Sequence, residues 1–271
     1  MNLILPKPFF SKVMRAVVEF DMIQDGDKIL IGLSGGKDSL LLTYALATLK
    51  QRTKKNFTLS AVTINPNFDE NFLSNAENLK NFCTSLEIPF QIHDVDIAAA
   101  IKSCPNKSPC FTCAYFRRAA INRIANEIGA NKVAYAHHLD DAVETFFMSL
   151  LSSGQLTTFT PKTFLSRTNI TVIRPLVYLR EFQISSFVNK NNFNIVKSPC
   201  PIDGKTNRQN IKNLIAELGK DFPDLFEHLA AAIRESSIGE LWDAPKTQAQ
   251  MRQIYFSYVH QKDSFGTVLN N

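Results

Sequence analysis

The strongest constraint on the fold is a short glycine-containing loop that joins a predicted strand to a predicted helix. Residues 28–33 are mostly apolar, residues 34–39 are Ser-Gly-Gly-Lys-Asp-Ser, and the apolar residues that follow are spaced as in a helix. Gly35 and Gly36 allow backbone N–H groups to turn toward one point. Because a helix N-terminus adds free donors and a positive dipole end, this loop is suited to an anion, most simply a pyrophosphate.

The side chains of the loop predict how it would hold a nucleotide such as ATP. Ser34 and Ser39 can donate hydroxyl hydrogen bonds to phosphate oxygens. Lys37 can neutralise charge, and Asp38 can hold a magnesium ion directly or through water. The glycine spacing is neither that of a Walker A loop nor that of the dinucleotide fingerprint. A plain turn that begins an ordinary helix is the alternative interpretation.

The composition is that of a globular protein. The chain has 271 residues, of which 45% are hydrophobic and 20% are charged, and is long for one domain but short for three. Its net charge of +5 permits a polyanionic partner without proving one. No apolar run is long enough to cross a bilayer, and residues 1–8 lack the features of a signal peptide. We therefore expect a cytoplasmic protein with no membrane partner.

Strand and helix signals alternate along most of the chain. Helical spacing is found at residues 8–22, 70–85, 111–128 and 140–151, and β-rich runs at residues 58–64, 89–95 and 132–136. The alternation predicts an α/β fold with a doubly wound parallel sheet, in which ligands bind at the carboxyl ends of the strands. Residues 96–109 and 152–169 interrupt the pattern, and we expect the second segment to be an exposed loop over the active face.

The pattern suggests a division of the chain into three regions. We expect an N-terminal helix within residues 1–24, a catalytic nucleotide-binding domain over residues 25–200, and a helical C-terminal region over residues 201–271. Further helical patterns occupy residues 182–190, 207–219 and 222–235, and residues 261–271 are expected to fray. The N-terminal helix is apolar enough to pack against a partner, which permits a homodimer.

The five cysteines indicate a metal or redox site in a reducing compartment rather than a secreted disulfide framework. Cys110 and Cys113 form a C-x-x-C at the start of a predicted helix, whose dipole lowers the pKa of both thiols. Cys200 offers a third sulfur in a turn between two prolines. Cys83 is expected to be buried packing, and Cys104 lies in a loop without an assigned role.

The residues alone leave the nature of this site open. A C-x-x-C fits half of a zinc site, a redox couple, or ligands of an iron–sulfur cluster. Asp203 is able to join Cys110, Cys113 and Cys200 as the fourth ligand of a zinc ion. Three sulfurs without a fourth ligand would instead leave one iron of a cubane cluster open to carry a reactive sulfide.

Three blocks of sequence follow one another along the chain. They are residues 34–39, residues 109–113 with Arg117 and Arg118, and residues 136–141 with Glu144 and Thr145. Their order and spacing resemble the tRNA 2-thiocytidine synthetase (TtcA) family, a branch of the TtcA/TtuA sulfurtransferases in which the first block is called a PP-loop. Segments 173–176 and 198–200 also fall where that family places them, and the similarity covers about residues 9–215.

The resemblance implies a PP-loop ATP-pyrophosphatase fold and a tRNA sulfurtransferase. In such an enzyme ATP adenylates the C2 oxygen of an anticodon-loop cytidine and pyrophosphate leaves. Sulfur carried by a 4Fe–4S cluster then replaces the oxygen to give 2-thiocytidine. The implied partners are tRNA and a sulfur donor, either a cysteine desulfurase or sulfide.

The expected site residues fall into three groups. They are residues 34–39 for the phosphates, Cys110, Cys113 and Cys200 for the cluster, and Lys37, Arg117 and Asp141 for catalysis. Members of the family commonly have a second downstream C-x-x-C, whereas this chain has Asp203 in place of the fourth cysteine. If that cysteine relayed sulfur, this chain would need another carrier.

Three other functions stay open. They are thiolation of a uridine by the same chemistry, lysine ligation on the same fold, and a nucleotide or iron–sulfur sensor without catalysis. The C-x-x-C argues against lysine ligation, which needs no sulfur carrier. The uridine thiolases often add zinc-finger cysteines at both ends of the chain, and this sequence has none there.

Several polar residues have a structural alternative. His137 and His138 are either site residues or loop histidines, Asp140 is a candidate helix cap, and Glu144 is expected on a helix surface. RNA binding is expected to use basic residues together with aromatic rings that stack a base. The basic candidates are Lys102, Lys107, Lys162, Arg167, Lys190, Lys197, Lys205, Arg208 and Lys212, and the aromatic ones are Phe159, Phe164 and Tyr178.

Overall fold

The computed structural model describes residues 4–68, 72–196, 207–235 and 249–250. By its internal contacts the chain divides into a compact unit, Met1–Ile233, and a second unit, Arg234–Asn271. Everything described below, apart from the last two residues of one helix, belongs to the first unit.

A single six-stranded sheet forms the centre of this unit. Its strands are β1 (Lys28–Gly32), β2 (Thr58–Asn65), β3 (Phe90–Asp94), β4 (Lys132–Ala134), β5 (Lys162–Leu165) and β6 (Ile170–Ile173). They lie in the order β3-β2-β1-β4-β6-β5, and every neighbouring pair is parallel except β5 with β6. The strand order changes direction between β1 and β4, and such a switch point opens a crevice at the carboxyl ends of the strands.

Helices surround the sheet. They are α1 (Lys7–Glu19), α2 (Lys37–Arg52), α3 (Phe72–Ser85), α4 (Ile97–Ser103), α5 (Pro109–Glu127), α6 (Leu139–Ser153), α7 (Glu181–Lys190), α8 (Asn207–Asp221) and α9 (Leu225–Glu235). None of the helices in the described part of the chain combines the length and the apolar character needed to cross a bilayer.

The sheet separates two apolar cores, which confirms the doubly wound α/β fold. Successive side chains of a strand point to opposite faces. Ile29 and Ile31 of β1 accordingly pack with α1, α2 and α7, whereas Leu30 packs with Ile121 and Ile124 of α5. Because both faces are covered, the inner strands are apolar on both sides.

Most predicted elements are found within a few residues of their expected bounds, but the two interrupting segments were interpreted wrongly. Residues 96–109 contain α4, which begins because the Asp96 side chain accepts a hydrogen bond from the Ala99 N–H at 2.9 Å. Residues 152–169 contain β5, which pairs with β6, a strand the pattern did not predict. Both strands have four residues, too few for a clear alternation.

Two further expectations concern packing and domain borders. Cys83 is completely buried in α3, as predicted, and burial raises the pKa of its thiol to about 12. Helix α1 contributes Val13 and Ala16 to the same core as α2. The borders at residues 24/25 and 200/201 stay predictions, and the predicted tail at residues 261–271 lies outside the described residues.

Candidate active site

The glycine loop lies between β1 and α2 with a backbone that requires glycine at one position. Gly35 has φ +83°, and a Cβ there would lie 2.8 Å from the Cβ of Val196. The Val196 N–H also donates to the Gly35 carbonyl at 3.0 Å. Both the backbone conformation and the close approach of Val196 therefore exclude a side chain at position 35.

The serines of the loop face each other across the start of α2. The Ser34 and Ser39 hydroxyl oxygens are 3.2 Å apart, and Ser39 donates to the Gly36 carbonyl at 2.9 Å. Asp38 stands beside them, and its Oδ1 atom is buried with no hydrogen-bond partner among the described residues. A buried carboxylate oxygen without a donor is suited to a cation or to a ligand that brings its own donor.

A cavity of about 1100 Å³ opens at the carboxyl ends of the strands, next to this loop. Ser34, Gly36, Asp38 and Ser39 form part of its wall. Pockets for one small ligand occupy roughly 300–1,000 Å³, so the space here suffices for a nucleotide and a second ligand.

The two cysteines of the C-x-x-C line the same cavity. Ser108 caps α5 by accepting from the Phe111 N–H at 3.3 Å, and Pro109 occupies the first turn. Cys110 and Cys113 follow in that turn, three residues apart and thus on one face of the helix. The predicted proximity of this pair to the phosphate loop is what the structure shows.

Cys200 and Asp203, the other two proposed ligands, lie outside the described residues. Within the ranges that the structure describes, no group of three or more His, Cys, Asp or Glu side chains stands ready to hold a metal ion. Val196, the last described residue before this segment, and Arg208, the second described residue after it, both line the cavity. The three-cysteine ligand set stays a prediction.

The N-cap of α6 lies in residues 136–141, but at a different residue from the one that the sequence predicted. His138, not Asp140, is the N-cap, and the Asp141 carboxylate accepts from the His138 N–H at 2.9 Å. Asp140 instead accepts from Arg180 at 3.2 Å and from the Glu181 N–H at 2.7 Å. His138 is buried and caps the start of the helix, as the structural alternative expected of it.

Asp141 also faces the cavity, where Arg208 of α8 holds its other carboxylate oxygen. The Arg208 Nη1 to Asp141 Oδ1 distance is 2.8 Å, and Arg208 also reaches Thr145 Oγ1 at 3.2 Å. Glu144, expected on the surface, is buried beside this pair. Burial raises the pKa of Glu144, and the Arg208 charge partly offsets that rise. Sequence analysis ranked Arg208 only among general RNA-binding cations, because nothing in the sequence pairs α8 with α6.

Lys37 takes a different position from the one expected of a catalytic cation. Its Nζ atom lies 3.2 Å from Asp38 Oδ2 and 3.1 Å from Glu181 Oε1, and Lys212 also contacts Glu181. The cavity wall includes its neighbours Asp38 and Ser39 and does not include Lys37. Lys37 therefore supports the loop from behind, with its charge already matched by two carboxylates.

A polar end of the cavity, near β4 and β6, was largely missed by sequence analysis. Arg117, which was predicted, is joined there by Asn122, Tyr135, His137 and Arg174. Each of these five side chains has a buried polar atom without a hydrogen-bond partner in the described part of the chain. Burial lowers the pKa of His137 to about 4, against the opposing effect of Asp141, so the ring is neutral at pH 7.

Of the proposed stacking residues, only Phe159 lies at this end, where its ring contacts His137 and the Arg174 guanidinium. Phe164 is exposed on β5 between the cavity residues Thr163 and Leu165, so it points away from the cavity. Tyr178 donates to Glu19 of α1 at 2.7 Å.

The proposed RNA-binding cations separate in the same way. Lys102 and Arg208 line the cavity, whereas Lys162 is bound to Asp21. Lys197 and Lys205 lie outside the described residues.

Comparisons with known proteins decide the family. The PP-loop domain model matches residues 8–218. The tRNA-cytidine(32) 2-sulfurtransferase of Geobacter sulfurreducens is 35% identical over 232 residues, which cover 84% of this chain and 89% of that protein. The enzyme of the same name from Janthinobacterium sp. is 34% identical over 237 residues, covering 84% of this chain and 72% of the relative. This chain belongs to the tRNA 2-thiocytidine synthetase family.

A solved structure agrees on the fold. The U34-tRNA thiolase NcsA from Methanococcus maripaludis, determined with its 4Fe–4S cluster, has a TM-score of 0.70. The match covers 84% of this chain and 77% of that protein at 23% identity. Membership of the family makes this chain a transferase of the PP-loop type, and its glycine loop and its C-x-x-C line the same cavity.

Proposed function

We propose that this protein uses ATP to thiolate a cytidine of tRNA and so forms 2-thiocytidine. Family membership supports the proposal, and one observation of the structure carries it. The phosphate-type loop and the C-x-x-C, 70 residues apart in sequence, line the same cavity. Activation by ATP and delivery of sulfur need to meet at one base, and this cavity offers both kinds of residue.

ATP is proposed to lie with its phosphates on the loop formed by residues 34–39. The glycine at position 35, the paired serine hydroxyls and the N-terminus of α2 all fit an anion there. The apolar wall that begins with Val62 and Ile64 at the end of β2 suits the adenine ring. Asp38, whose buried Oδ1 atom accepts no hydrogen bond from the described residues, is the residue proposed to hold Mg²⁺.

Cys110 and Cys113 are proposed to hold a 4Fe–4S cluster together with Cys200. The donor chemistry fits, because two thiols lie three residues apart in the first turn of a helix and both line the cavity. Cys200 is four residues from Val196, so a fully extended chain spans at most about 14 Å from the loop. The cluster would supply a soft sulfur nucleophile beside the nucleotide.

The reaction is proposed to proceed in two displacements on the cytidine. The C2 oxygen attacks the α-phosphorus of ATP, the bond to the β-phosphate oxygen breaks, and pyrophosphate leaves. The loop N–H groups and Arg117 offset the charge that builds on phosphorus. Sulfur then attacks C2, the C2–O bond breaks, and AMP leaves with the former base oxygen.

Asp141 is proposed to act in this reaction as a carboxylate that faces the reacting cytosine. Arg208 and the N–H of His138 both donate to it, which fixes the orientation of its carboxylate at the cavity wall. Lys37, in contrast, is proposed to fix the loop rather than to touch the phosphates.

The setting of the reaction is proposed as well. The sulfur donor is sulfide or a cysteine desulfurase, the protein is cytoplasmic, and α1 packs two copies into a homodimer. A size measurement of the full chain in solution and a sulfide-dependent assay test the dimer and the donor separately.

The experiment is thiolation of an unmodified tRNA transcript by anaerobically reconstituted protein, followed by nucleoside analysis. We expect 2-thiocytidine that depends on ATP and releases pyrophosphate. Cys110→Ala should abolish both the iron–sulfur absorbance and the product, whereas Cys104→Ala, outside the cavity wall, should keep both. Formation of 2-thiouridine would favour the uridine alternative, and ATP binding without pyrophosphate release would favour a sensor.

A further inference from the structure

The polar end of the cavity contains three groups from different elements that face one another. Arg118 lies on α5, Tyr135 follows β4, and Arg174 follows β6. The Tyr135 N–H donates to the Ile173 carbonyl at 3.0 Å, so Tyr135 and Arg174 stand side by side at the ends of paired strands. All three side chains line the cavity.

The positive charge of this group has no negative partner among the residues that the structure describes. The Arg174 guanidinium donates to the Thr160 carbonyl at 2.7 Å and the Thr163 hydroxyl at 3.2 Å, both of them neutral. The Nε of Arg118 donates to the Ala114 carbonyl at 3.0 Å. Burial is the main cause that lowers the pKa of Arg174 to about 10; the charge of Arg118 acts in the same direction, and Tyr135 acts against it.

The two carboxylates of the cavity wall are engaged elsewhere. Asp38 is paired with Lys37, and Asp141 is paired with Arg208. A partly buried guanidinium without a counterion is costly, because desolvation is not compensated by an opposite charge. The hydroxyl of Tyr135 is also buried without a partner in the described part of the chain. Such a set of donors is complete only when an anion lies among them.

The arginine end of this group is separated from the phosphate loop. Arg174 follows β6, which is two strands from β1 in the sheet, and neighbouring strands are about 4.8 Å apart. The backbone of Arg174 is therefore roughly 10 Å from the loop across the sheet, whereas the Tyr135 ring lies between them, beside Gly32 at the end of β1. In a cavity of about 1100 Å³, a nucleotide on the loop leaves room at Arg174 for another ligand.

We propose that Arg118, Tyr135 and Arg174 form a second phosphate subsite, which holds a backbone phosphodiester of the bound RNA beside the reacting nucleotide. The proposal rests on the proposed function, since it takes tRNA as the substrate. Guanidinium groups match phosphate oxygens in a bidentate geometry, and a tyrosine hydroxyl adds a third donor. Anchoring the backbone here leaves the base attached to it free to extend toward the loop and the cysteines.

The test measures binding of an unmodified tRNA transcript to the full-length protein at several salt concentrations. We expect Arg118→Gln and Arg174→Gln each to weaken binding about tenfold near 0.1 M salt. Each should also reduce the slope of log K against log salt by about 1, as for one lost phosphate contact. The affinity for ATP should not change.

Arg123→Gln is the matched control, because Arg123 lies on the same helix but is exposed and paired with Glu127. Arg174 also donates to Thr160 and Thr163, so its substitution disturbs the start of β5 as well. Arg118 is exposed, so Arg118→Gln tests the same loss of tRNA affinity without that disturbance. A methylphosphonate scan of the anticodon arm should reveal one linkage whose neutralisation weakens wild-type binding but not binding by Arg118→Gln.

The outcomes separate this subsite from the proposed function. Wild-type affinity and slope in both variants would overturn the subsite while leaving the proposed function intact. Equal losses for ATP and tRNA would assign these arginines to the nucleotide and overturn the subsite. Binding of inorganic phosphate that is lost in Arg118→Gln, with tRNA binding unchanged, would overturn the assignment to RNA. Failure of the wild type to bind tRNA would overturn both proposals.

Discussion

The two sides of the cavity differ in how their charges are balanced. On the side of α2 and α7, Lys37 contacts Asp38 and Glu181, and Asp140 contacts Arg180. On the side of β4 and β6, the charge of Arg174 and the hydroxyl of Tyr135 have no such partners within the described residues. The charges of the first side are matched without a ligand, although the Asp38 Oδ1 atom accepts no hydrogen bond from the described residues. The second side leaves donors for a ligand.

This contrast separates two ways of building a site. Matched charges hold the phosphate loop in one geometry before ATP arrives, so that little reorganisation is needed on binding. Donors without acceptors lower the folding stability of the ligand-free protein. This stability is recovered when a ligand supplies the missing acceptors. Substitutions on the two sides should therefore have opposite effects on the stability of the ligand-free protein.

Gly35→Ala should have the largest effect, because it breaks the preformed side at the loop. The alanine Cβ would meet Val196 at 2.8 Å, in a backbone conformation with φ +83°. We expect ATP binding, measured by titration calorimetry, to fall by more than about 100-fold as the loop moves, which corresponds to roughly 3 kcal/mol.

Gly26→Ala is its control, since Gly26 has the same φ of +83° and nothing within 4 Å of the added Cβ. It should cost about 1–2 kcal/mol of folding stability from backbone strain alone and leave ATP binding unchanged. Equal ATP affinity in the Gly35 variant and the wild type would show that the loop does not hold the nucleotide.

Glu181→Gln should have a smaller effect, on the stability of the same side. Burial alone would raise the pKa of Glu181, but hydrogen bonds from Lys212 and Lys37 lower it to about 2. With allowance for partial exposure, we expect the substitution to cost about 1–2 kcal/mol of unfolding free energy at pH 7. Glu227→Gln, which removes a more exposed partner of Arg180, should change stability by less than about 0.5 kcal/mol.

The pH dependence of this effect has a defined sign. The folded pKa of Glu181 lies below its ordinary value of 4.5, so the stabilisation is fully present above about pH 5. It is lost as the pH falls from 4.5 toward 2. Denaturant unfolding of wild type and Glu181→Gln should therefore converge at low pH, and a constant difference from pH 7 to pH 3 would contradict the assignment.

The sequence indicated the local motifs of the cavity and missed its long-range contacts, for a physical reason. The loop at residues 34–39 and the C-x-x-C are local motifs, so backbone geometry and helix position follow from a few adjacent residues. The pairing of Arg208 with Asp141 joins α8 to α6, and the grouping of Tyr135 with Arg174 depends on the order of β4 and β6 in the sheet. Such contacts depend on tertiary structure, which one sequence does not specify locally.

The same reasoning explains where the structure departs from the expectations. The sequence placed Lys37 in the catalytic group because its residue type suits phosphate; in the structure its ammonium group contacts Glu181, 144 positions later, and its catalytic role stays a prediction. Glu144 was expected on a surface because its own helix is polar at that point, and α8 covers it. In each case the deciding partner comes from a distant part of the chain.

Tyr135→Phe should have the smallest effect and the opposite sign, which makes it the sharpest test of the contrast. Burial raises the pKa of Tyr135 to about 12, and its hydroxyl has no hydrogen-bond partner in the part of the chain that the structure describes. Removing an unsatisfied buried hydroxyl should stabilise the ligand-free protein by about 1 kcal/mol, measured by denaturant unfolding. Thr63→Val, which removes a buried hydroxyl that donates to the Leu33 carbonyl at 2.6 Å, should instead destabilise it by about 1 kcal/mol.

The Tyr135 variant should also bind tRNA several-fold more weakly, because the hydroxyl that destabilises the ligand-free protein is a hydrogen-bond donor to the bound phosphate. Destabilisation of Tyr135→Phe to the level of Thr63→Val would mean that the hydroxyl is already satisfied and that this end of the cavity is as complete as the other.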